Sequence, residues 1–253
     1  MIPPARRRAE RSAIGTRSAK SVGMHPVLSR ILELIFPARC AACELLGAEP
    51  FCAQCAESLV AAPAGCTVCG APLDEALLPA TRPRRCGACR DRAPPFVLAR
   101  APFLHGGALA EAIHAFKYEK REELARPLGV LFEAVERPRA EVLSPVPLHP
   151  RRQIQRGYDQ AALLAREAGR RFSLPVEHLV ERGRPTAPQV GRDRLARARN
   201  VQGAFRARGN IRGRSVCLID DVLTTGATAG EAARALYAAG ARRVEVRTLS
   251  RAP

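Results

Sequence analysis

The sequence contains no tryptophan, and aromatic residues make up only 4% of its 253 residues. A platform on which nucleic acid bases stack needs aromatic side chains, so this scarcity argues against one. Lysine is also scarce: only three of the 41 basic residues are lysines, and arginine supplies most of the net charge of +17. Arginine binds phosphate bidentately, which keeps nucleic acid among the candidate partners. An arginine- and alanine-rich composition also follows from genomic base composition, so the charge alone does not identify a partner.

Long apolar runs are absent too. No stretch reaches the roughly 18 apolar residues that cross a membrane, and residues 1–23 lack the apolar core of an export signal. We therefore predict a cytoplasmic chain with no transmembrane segment. Residues 1–25 are predicted to be a disordered basic tail or the result of a misassigned start, because Met24 is the only other methionine and directly precedes a predicted helix, Val27–Phe36.

Eight of the nine cysteines form four C-x-x-C pairs, and Cys217 stands alone in an apolar run. Each C-x-x-C pair supplies two corners of a tetrahedral zinc site, so residues 26–92 are predicted to hold two structural zinc ions. Pairing in chain order and an interleaved pairing are both compatible with the spacing. A disulfide framework is disfavoured because the chain shows no export signal. The predicted ligands are Cys40, Cys43, Cys52, Cys55, Cys66, Cys69, Cys86 and Cys89.

Residues 93–253 alternate apolar strand patterns with amphipathic helix patterns, which predicts an α/β domain with a mostly parallel sheet. A basic loop with Arg151, Arg152, Arg156 and Gly157 follows a strand from Val142 and is predicted to bind an anion. The arginine-dense segment Glu181–Asn200 is predicted to be a mobile lid. Other predicted elements are the strands Phe96–Leu104, Val176–Val180 and Val244–Leu249 and the helices Gly107–Lys117, Arg121–Glu136, Tyr158–Phe172 and Ala229–Ala239.

The central stretch of this domain is Val216–Thr228. Four apolar residues predict a buried strand that ends at Asp220 and Asp221, and a Thr-Thr-Gly turn then leads into an alanine-rich helix. A helix N-terminus at the carboxyl end of a strand is a ready phosphate site. The two carboxylates would repel that phosphate, so we expect them to face sugar hydroxyls or a Mg²⁺ ion.

Val216–Thr228 resembles the phosphoribosyl pyrophosphate (PRPP) signature of type I phosphoribosyltransferases at every position. The resemblance implies a type I phosphoribosyltransferase fold with a mostly parallel twisted sheet. It also implies that Asp220 and Asp221 hold the ribose 2′- and 3′-hydroxyls. The residues implied to surround the 5′-phosphate are Thr224, Thr225, Gly226, Ala227 and Thr228. A plain strand-to-helix turn is the alternative interpretation.

Further motifs resemble the ComF family from about residue 26 to the end: Phe116-Lys117-Tyr118, Pro145–His149, Arg156–Gln160, Thr186–Gln189, Arg199-Asn200-Val201 and the PRPP signature. The family has an N-terminal double zinc ribbon and is linked to uptake of transforming DNA. Where the family usually has Arg-Gly-Phe-Asn-Gln and Thr-Pro-Pro-Gln, this chain has Arg-Gly-Tyr-Asp-Gln and Thr-Ala-Pro-Gln. The resemblance implies PRPP binding with Mg²⁺, pyrophosphate contacts from Lys117, Arg156 and Gly157, and closure of residues 192–200 over the ligand.

Two classes of function follow. The first is a phosphoribosyltransferase of unidentified acceptor that displaces pyrophosphate from PRPP in DNA uptake or nucleotide metabolism. The second is a non-catalytic zinc-ribbon protein, associated with DNA or the uptake machinery, that uses the fold to bind a phosphoribosyl ligand or single-stranded DNA. The sequence leaves the oligomeric state open.

Overall fold

The computed structural model describes residues 37–74, 84–183 and 202–252. The predicted basic tail, the helix Val27–Phe36 and most of the predicted lid, including residues 192–200, lie outside these ranges. The described residues from Ala38 onward belong to one compact unit, so the cysteine-rich module and the α/β part are packed together.

A parallel five-stranded sheet organises the α/β part. The strands are β1 (Leu98–Arg100), β2 (Phe103–Leu104), β3 (Val142–Pro145), β4 (Val180–Arg182), β5 (Phe205–Ala207), β6 (Ser215–Leu223) and β7 (Arg243–Arg251). The order of the sheet is β1-β7-β6-β3, and β2 pairs beside β1 along the same edge of β7. β4 and β5 form a separate antiparallel pair. The predicted α/β class with a mostly parallel sheet is confirmed.

Seven α-helices are present in the described ranges. The two shortest helices belong to the cysteine-rich module, and the other five follow or precede strands of the α/β part. The helices are α1 (Ala53–Glu57), α2 (Gly87–Asp91), α3 (Gly107–Tyr118), α4 (Ala125–Val130), α5 (Pro150–Arg156), α6 (Gln160–Phe172) and α7 (Ala227–Ala238), and 3₁₀ turns at Glu122–Leu124 and Leu131–Ala134 flank α4.

Each face of the sheet covers its own apolar core. Side chains alternate along a strand, so Cys217 and Ile219 of β6 join the core under α3, α4 and α6. Val216 and Leu218 face the opposite way and join the core under α7. Strands buried on both faces read as continuous apolar runs, which explains why the central strand was recognisable in the sequence.

The cysteine-rich module contributes to both cores. Cys40 and Cys52 are buried in the core of α3, α4 and α6, whereas Cys66 and Cys89 are buried in the core of α7. The first half of the module therefore packs on one side of the sheet and the second half on the other.

Proline accounts for two differences from the predicted elements. The predicted strand Phe96–Leu104 is two short strands, because Pro102 lies between β1 and β2 and has no N–H to donate to a ladder. The predicted helix Arg121–Glu136 is α4 with its two 3₁₀ turns, because Pro127 removes a helical hydrogen bond in its interior.

Three further elements also differ. The predicted basic loop is helix α5, which starts at Pro150, and the first helical position favours proline because its missing N–H would be unpaired there. The predicted strand Val176–Val180 is an isolated bridge from Val176 to Leu143, with β4 starting at Val180. The central strand runs on to Leu223, past the acidic pair that was predicted to end it.

Within the described ranges, no helix combines the length and the apolar character needed to cross a membrane.

Candidate functional site

The eight paired cysteines form two clusters. Cys40, Cys43, Cys52 and Cys55 make the first cluster, and Cys66, Cys69, Cys86 and Cys89 make the second; the sulfur atoms of each cluster lie within 4.8 Å of one another. This is the chain-order grouping, and all nine cysteines are free thiols.

The sulfur spacing fits zinc. A tetrahedral ion with Zn–S bonds of about 2.3 Å holds its sulfurs about 3.8 Å apart. The Sγ atoms of Cys43 and Cys52 are 3.7 Å apart in the first cluster, and those of Cys69 and Cys86 are 3.6 Å apart in the second. Each cluster offers four thiols and no open position, as a structural site requires.

One cysteine in each cluster is prepared for ionisation. Burial disfavours the thiolate of Cys40, but bonds from the backbone N–H groups of Cys52, Cys43 and Ala42 outweigh burial and lower its pKa to about 6. Burial also disfavours the thiolate of Cys66, but bonds from nearby backbone N–H groups outweigh burial and lower its pKa to about 7. A thiolate is the form that binds zinc, so the backbone favours the ligand state of both residues.

The acidic pair lies inside β6 and is bonded internally. The N–H of Asp221 donates to Oδ1 of Asp220 at 2.9 Å. Asp221 also accepts from Lys117, the penultimate residue of α3, whose Nζ lies 2.8 Å from its Oδ1. Lys117 therefore reaches the carboxylates from the core face that carries α3.

Both carboxylates have their charge offset. Burial, followed by the charge of Asp221, raises the pKa of Asp220 to about 8, and Lys117 opposes this shift in part. The raised pKa favours the protonated form of Asp220, and the charge of Asp221 is balanced by Lys117. Two bare carboxylates would repel a phosphate, but this pair presents little net negative charge to the loop that follows it.

That loop, Thr224–Thr228, joins β6 to α7. Gly226 is the N-cap of α7 with φ of 75°, and a Cβ on it would lie 3.6 Å from the ring of Phe96. No side chain caps the helix, and the N–H of Ala227 donates to Oγ1 of Thr225 at 3.2 Å. Apart from that weak bond, the first N–H groups of α7 can bind an anion.

Arg156 does not point freely into solvent. It is 8% exposed, its Nη1 donates to Oε1 of Gln160 at 2.9 Å, and its guanidinium lies 5.0 Å from the ring centroid of Tyr118. The hydroxyl of Tyr158 donates to the carbonyl oxygen of Phe116. These contacts hold Phe116 and Tyr118, the residues on either side of Lys117. Gly157 lies directly after the end of α5.

Asp159, where the family usually has asparagine, caps helix α6. Its Oδ1 accepts from the N–H of Ala162 at 3.1 Å. Aspartate and asparagine are equally good N-caps, so the helix retains its cap despite the change.

A cleft of about 640 Å³ opens beside Asp159. The charge of Asp159 contributes to the raised pKa of Asp220, but neither carboxylate of the acidic pair lines the cleft. Side chains from α5, α6, β4 and the loops around them line it, among them Leu148, Tyr158, His178, Arg182 and Arg208.

A protein family and several known proteins match the chain. The double zinc ribbon domain family matches residues 31–90. The DNA utilization protein YhgH of Escherichia coli strain K12 is 31% identical over 230 residues, which cover 86% of this chain and 99% of that protein. The chain belongs to the ComF/YhgH family.

Two further matches each cover just over half of the chain. Competence protein F of Haemophilus influenzae is 33% identical to this ComF-family chain over 156 residues, or 57% of the chain and 68% of that protein. A solved structure of glutamine PRPP amidotransferase from B. subtilis matches 53% of this chain and 30% of that chain, with 21% identity and a TM-score of 0.38. The double zinc ribbon predicted from the cysteine pairs is confirmed.

The sequence analysis of this ComF-family chain missed two residues near the acidic pair. His105 follows β2, and its Nδ1 lies 3.0 Å from Oγ of Ser250 on β7. Burial and the charge of Lys117 lower the pKa of His105, and Asp221 opposes them. A histidine directly after a strand and before a Gly-Gly turn was the available signal, but only strand pairing brings it to the site.

Proposed function

We propose that this ComF-family chain binds PRPP with Mg²⁺ at the carboxyl end of β6 and acts as a phosphoribosyltransferase. The observation that carries the proposal is the junction of the acidic pair, Lys117 and the uncapped N-terminus of α7 at one edge of a parallel sheet. A sugar phosphate needs a phosphate site and hydroxyl acceptors next to each other, and this edge offers both.

Each part of the ligand has an assigned group. The Thr224–Thr228 loop would hold the 5′-phosphate, and Asp220 and Asp221 would accept the ribose hydroxyls. Lys117 would leave Asp221 and pair with the pyrophosphate when the ribose takes its place. Asp220 and Asp221 also supply the oxygen ligands that Mg²⁺ prefers. When bound, the ion would offset the charge of the departing pyrophosphate.

For Arg156 we propose a supporting role in addition to the pyrophosphate contact implied by the resemblance. Its guanidinium is taken up by Gln160 and Tyr118, so it would fix the end of α3 and keep Lys117 in reach of the ligand. The cleft beside Asp159 would take the acceptor, because it is large enough for a base or an amine-bearing ring and because Asp159, which lines it, acts electrostatically on Asp220. Displacement of pyrophosphate passes through an oxocarbenium-like state at C1′.

Calorimetry with PRPP and Mg²⁺ tests the proposal. We expect saturable binding by the zinc-loaded full chain, followed by pyrophosphate release when the acceptor is supplied from a panel of bases and amines. Absence of PRPP binding would reject the proposal. Binding without pyrophosphate release for any acceptor would favour the second candidate.

The second candidate is a non-catalytic protein that binds single-stranded DNA. It is supported by the printed names of the relatives, a DNA utilization protein and a competence protein, and by the net charge of +17. Fluorescence anisotropy with a labelled single-stranded oligonucleotide tests it. Affinity that falls steeply with salt would indicate phosphate contacts, and competition by PRPP would place those contacts at the same loop.

A further inference from the structure

Arg251, near the end of β7, connects the second cysteine cluster to the Thr224–Thr228 loop. Its Nε donates to the carbonyl oxygen of Cys69 at 3.1 Å. Its Nη1 donates to the carbonyl oxygens of Leu223 at 3.0 Å and Thr224 at 2.8 Å, and also to that of Ala252. Arg251 is 6% exposed, so these bonds form away from water.

Guanidinium chemistry explains why one side chain can make this connection. Its donors are fixed in a planar fork, so carbonyls on two sides can be bound at once only when both are correctly placed. A shift of Thr224 or of Cys69 would leave part of a buried cation without acceptors, which is costly. The positions of the zinc ligand and of the loop are therefore energetically linked.

Other contacts reinforce the same side of the sheet. The N–H of Ala99 on β1 donates to the carbonyl oxygen of Val68 at 2.7 Å. Gly70 has φ of 67°, and a Cβ there would lie 3.1 Å from the carbonyl oxygen of Ala99, so the cluster approaches the strand as closely as glycine permits. Phe96, which follows the cysteine-rich module, packs against Gly226 of the loop.

The first cluster lies against a different element. Oγ of Ser58 accepts from the N–H of Ala108 at the start of α3 at 3.1 Å. Glu44 pairs with Arg121, just beyond the end of the same helix. These contacts support the helix that carries Lys117, and no described bond joins the first cluster to the Thr224–Thr228 loop.

We propose that Arg251 is a positioning residue that couples the second cysteine cluster to the Thr224–Thr228 loop, so that zinc in that cluster and phosphate on that loop stabilise each other. The inference rests on the proposed phosphate site and adds a residue and a direction of coupling to it. Coupling between two sites is reciprocal: whatever zinc does for ligand affinity, the ligand must do for zinc.

The rate of zinc release from the intact chain reports whether the ligand stabilises the bound zinc. Zinc is withdrawn from the full-length protein by a colorimetric chelator with low affinity for Mg²⁺, with and without saturating PRPP and Mg²⁺. We expect release of one of the two ions to slow about fivefold when PRPP is bound, and release of the other to stay unchanged. Hydrogen exchange locates the effect: PRPP should protect residues 66–71 and leave residues 40–44 as they were.

Variants of Arg251 separate coupling from general stability. Arg251→Met should abolish the slowing of zinc release and weaken PRPP binding, and Arg251→Lys should restore it only in part, because an ammonium lacks the fork. The matched control is Arg247→Met. Arg247 is a similarly buried arginine of the same strand, and its described contacts reach neither the cluster nor the loop. In this variant PRPP should slow zinc release as much as it does in the wild type.

Each result decides between outcomes. PRPP that binds the wild type without slowing release of either ion would overturn the coupling and leave the phosphate site intact. Slowing that persists in Arg251→Met would show that another contact carries it and would also overturn the proposal. If PRPP does not bind the wild type, the proposed function fails and the coupling fails with it.

Discussion

The ammonium of Lys117 lies 2.8 Å from Oδ1 of Asp221, and the two side chains are only 20% and 11% exposed. This contact joins the end of α3, which spans Gly107–Tyr118, to the carboxyl end of β6, which spans Ser215–Leu223. A partly buried ion pair needs surroundings that hold its partners in place. On the lysine side, Tyr158 donates to the carbonyl oxygen of Phe116, and Arg156 lies over the ring of Tyr118.

The pair changes what the acidic motif presents to a ligand. Without a ligand, Lys117 balances Asp221, and burial favours the protonated form of Asp220. A ribose hydroxyl that took the place of the lysine on Asp221 would leave the lysine available for a phosphate or pyrophosphate oxygen. Ligand entry would therefore exchange one ion pair for another, with little change in the number of buried charges.

The pH dependence of stability should reveal the proton on Asp220. The folded pKa of about 8 lies above the ordinary value of 3.8, so between these values the native state holds a proton that the unfolded chain has lost. Stability from this group is thus greatest at low pH and falls as pH rises towards 8. Asp220→Asn should not show this fall. As the pH rises, its unfolding free energy should therefore increase relative to that of the wild type, by at most about 1.4 kcal/mol per pH unit.

Urea unfolding at pH 6 and pH 8 measures that gain. The comparison of variant with wild type cancels the titration of all other groups, including the zinc ligands. A difference in unfolding free energy that stays constant between the two pH values would contradict the raised pKa.

Zinc content tests the two cysteine clusters. We expect two ions per chain by elemental analysis, because each cluster holds four thiols at the spacing of a tetrahedral site. Cys43→Ser combined with Cys52→Ser should lose one ion, since both residues belong to the first cluster. Cys43→Ser combined with Cys86→Ser should lose both. Loss of both ions from Cys43→Ser combined with Cys52→Ser would show that the first two pairs serve different ions and would contradict the chain-order arrangement.

A buried ion pair on β7 should matter for stability. Nη2 of Arg247 lies 3.1 Å from Oε2 of Glu245, and each residue is 1% exposed. Removing one partner of such a pair leaves the other as an uncompensated buried charge. Arg247→Met should therefore cost about 3 kcal/mol of unfolding free energy. This value is near the low end for buried pairs, because Arg243 also contacts Glu245.

The double variant is the control for this cost. Glu245→Leu together with Arg247→Met leaves no charge stranded and should recover most of the loss in urea unfolding. Additive losses in the double variant would show that the two residues act independently.

What the sequence could predict was local. The apolar run, the acidic pair and the Thr-Thr-Gly turn lie next to each other in the chain, so Asp220, Asp221 and the loop up to Thr228 were recognisable from their order. The cysteine pairs were equally local. The mostly parallel sheet followed from the alternation of strands and helices, because parallel strands need crossover connections.

The remainder depends on pairing between distant segments. Glu245 and Arg247 alternate with valines and thus resemble the exposed face of a strand, but they neutralise each other and are buried. Lys117 was assigned to a helix end or to pyrophosphate, and its contact with Asp221 arises only when α3 packs on β6. The role of Arg251 could not be predicted from the sequence, because the carbonyl groups that it binds come from two distant places in the chain, Cys69 and Leu223-Thr224.

The ribose assignment leads to a contrast between two ligands. Asp221→Asn keeps the size of the side chain but replaces a charged acceptor by a neutral amide. If Asp221 binds a ribose hydroxyl, the variant should lose about 1.5–3 kcal/mol of PRPP binding, or roughly tenfold to hundredfold in affinity. Inorganic phosphate has no ribose and should bind at least as well as before, because Lys117 is released from Asp221 and can attract the anion.

Calorimetry with both ligands on the wild type, Asp221→Asn and Lys117→Met separates the causes. Lys117→Met leaves Asp221 without its cation, so it should weaken phosphate as well as PRPP, whereas Asp221→Asn should weaken PRPP alone. A damaged fold would reduce both affinities in both variants. Equal losses of PRPP and phosphate in Asp221→Asn, or no loss of PRPP, would remove Asp221 from the ribose site and favour the DNA-binding candidate, because a nucleic acid backbone needs only the phosphate loop and the cations around it.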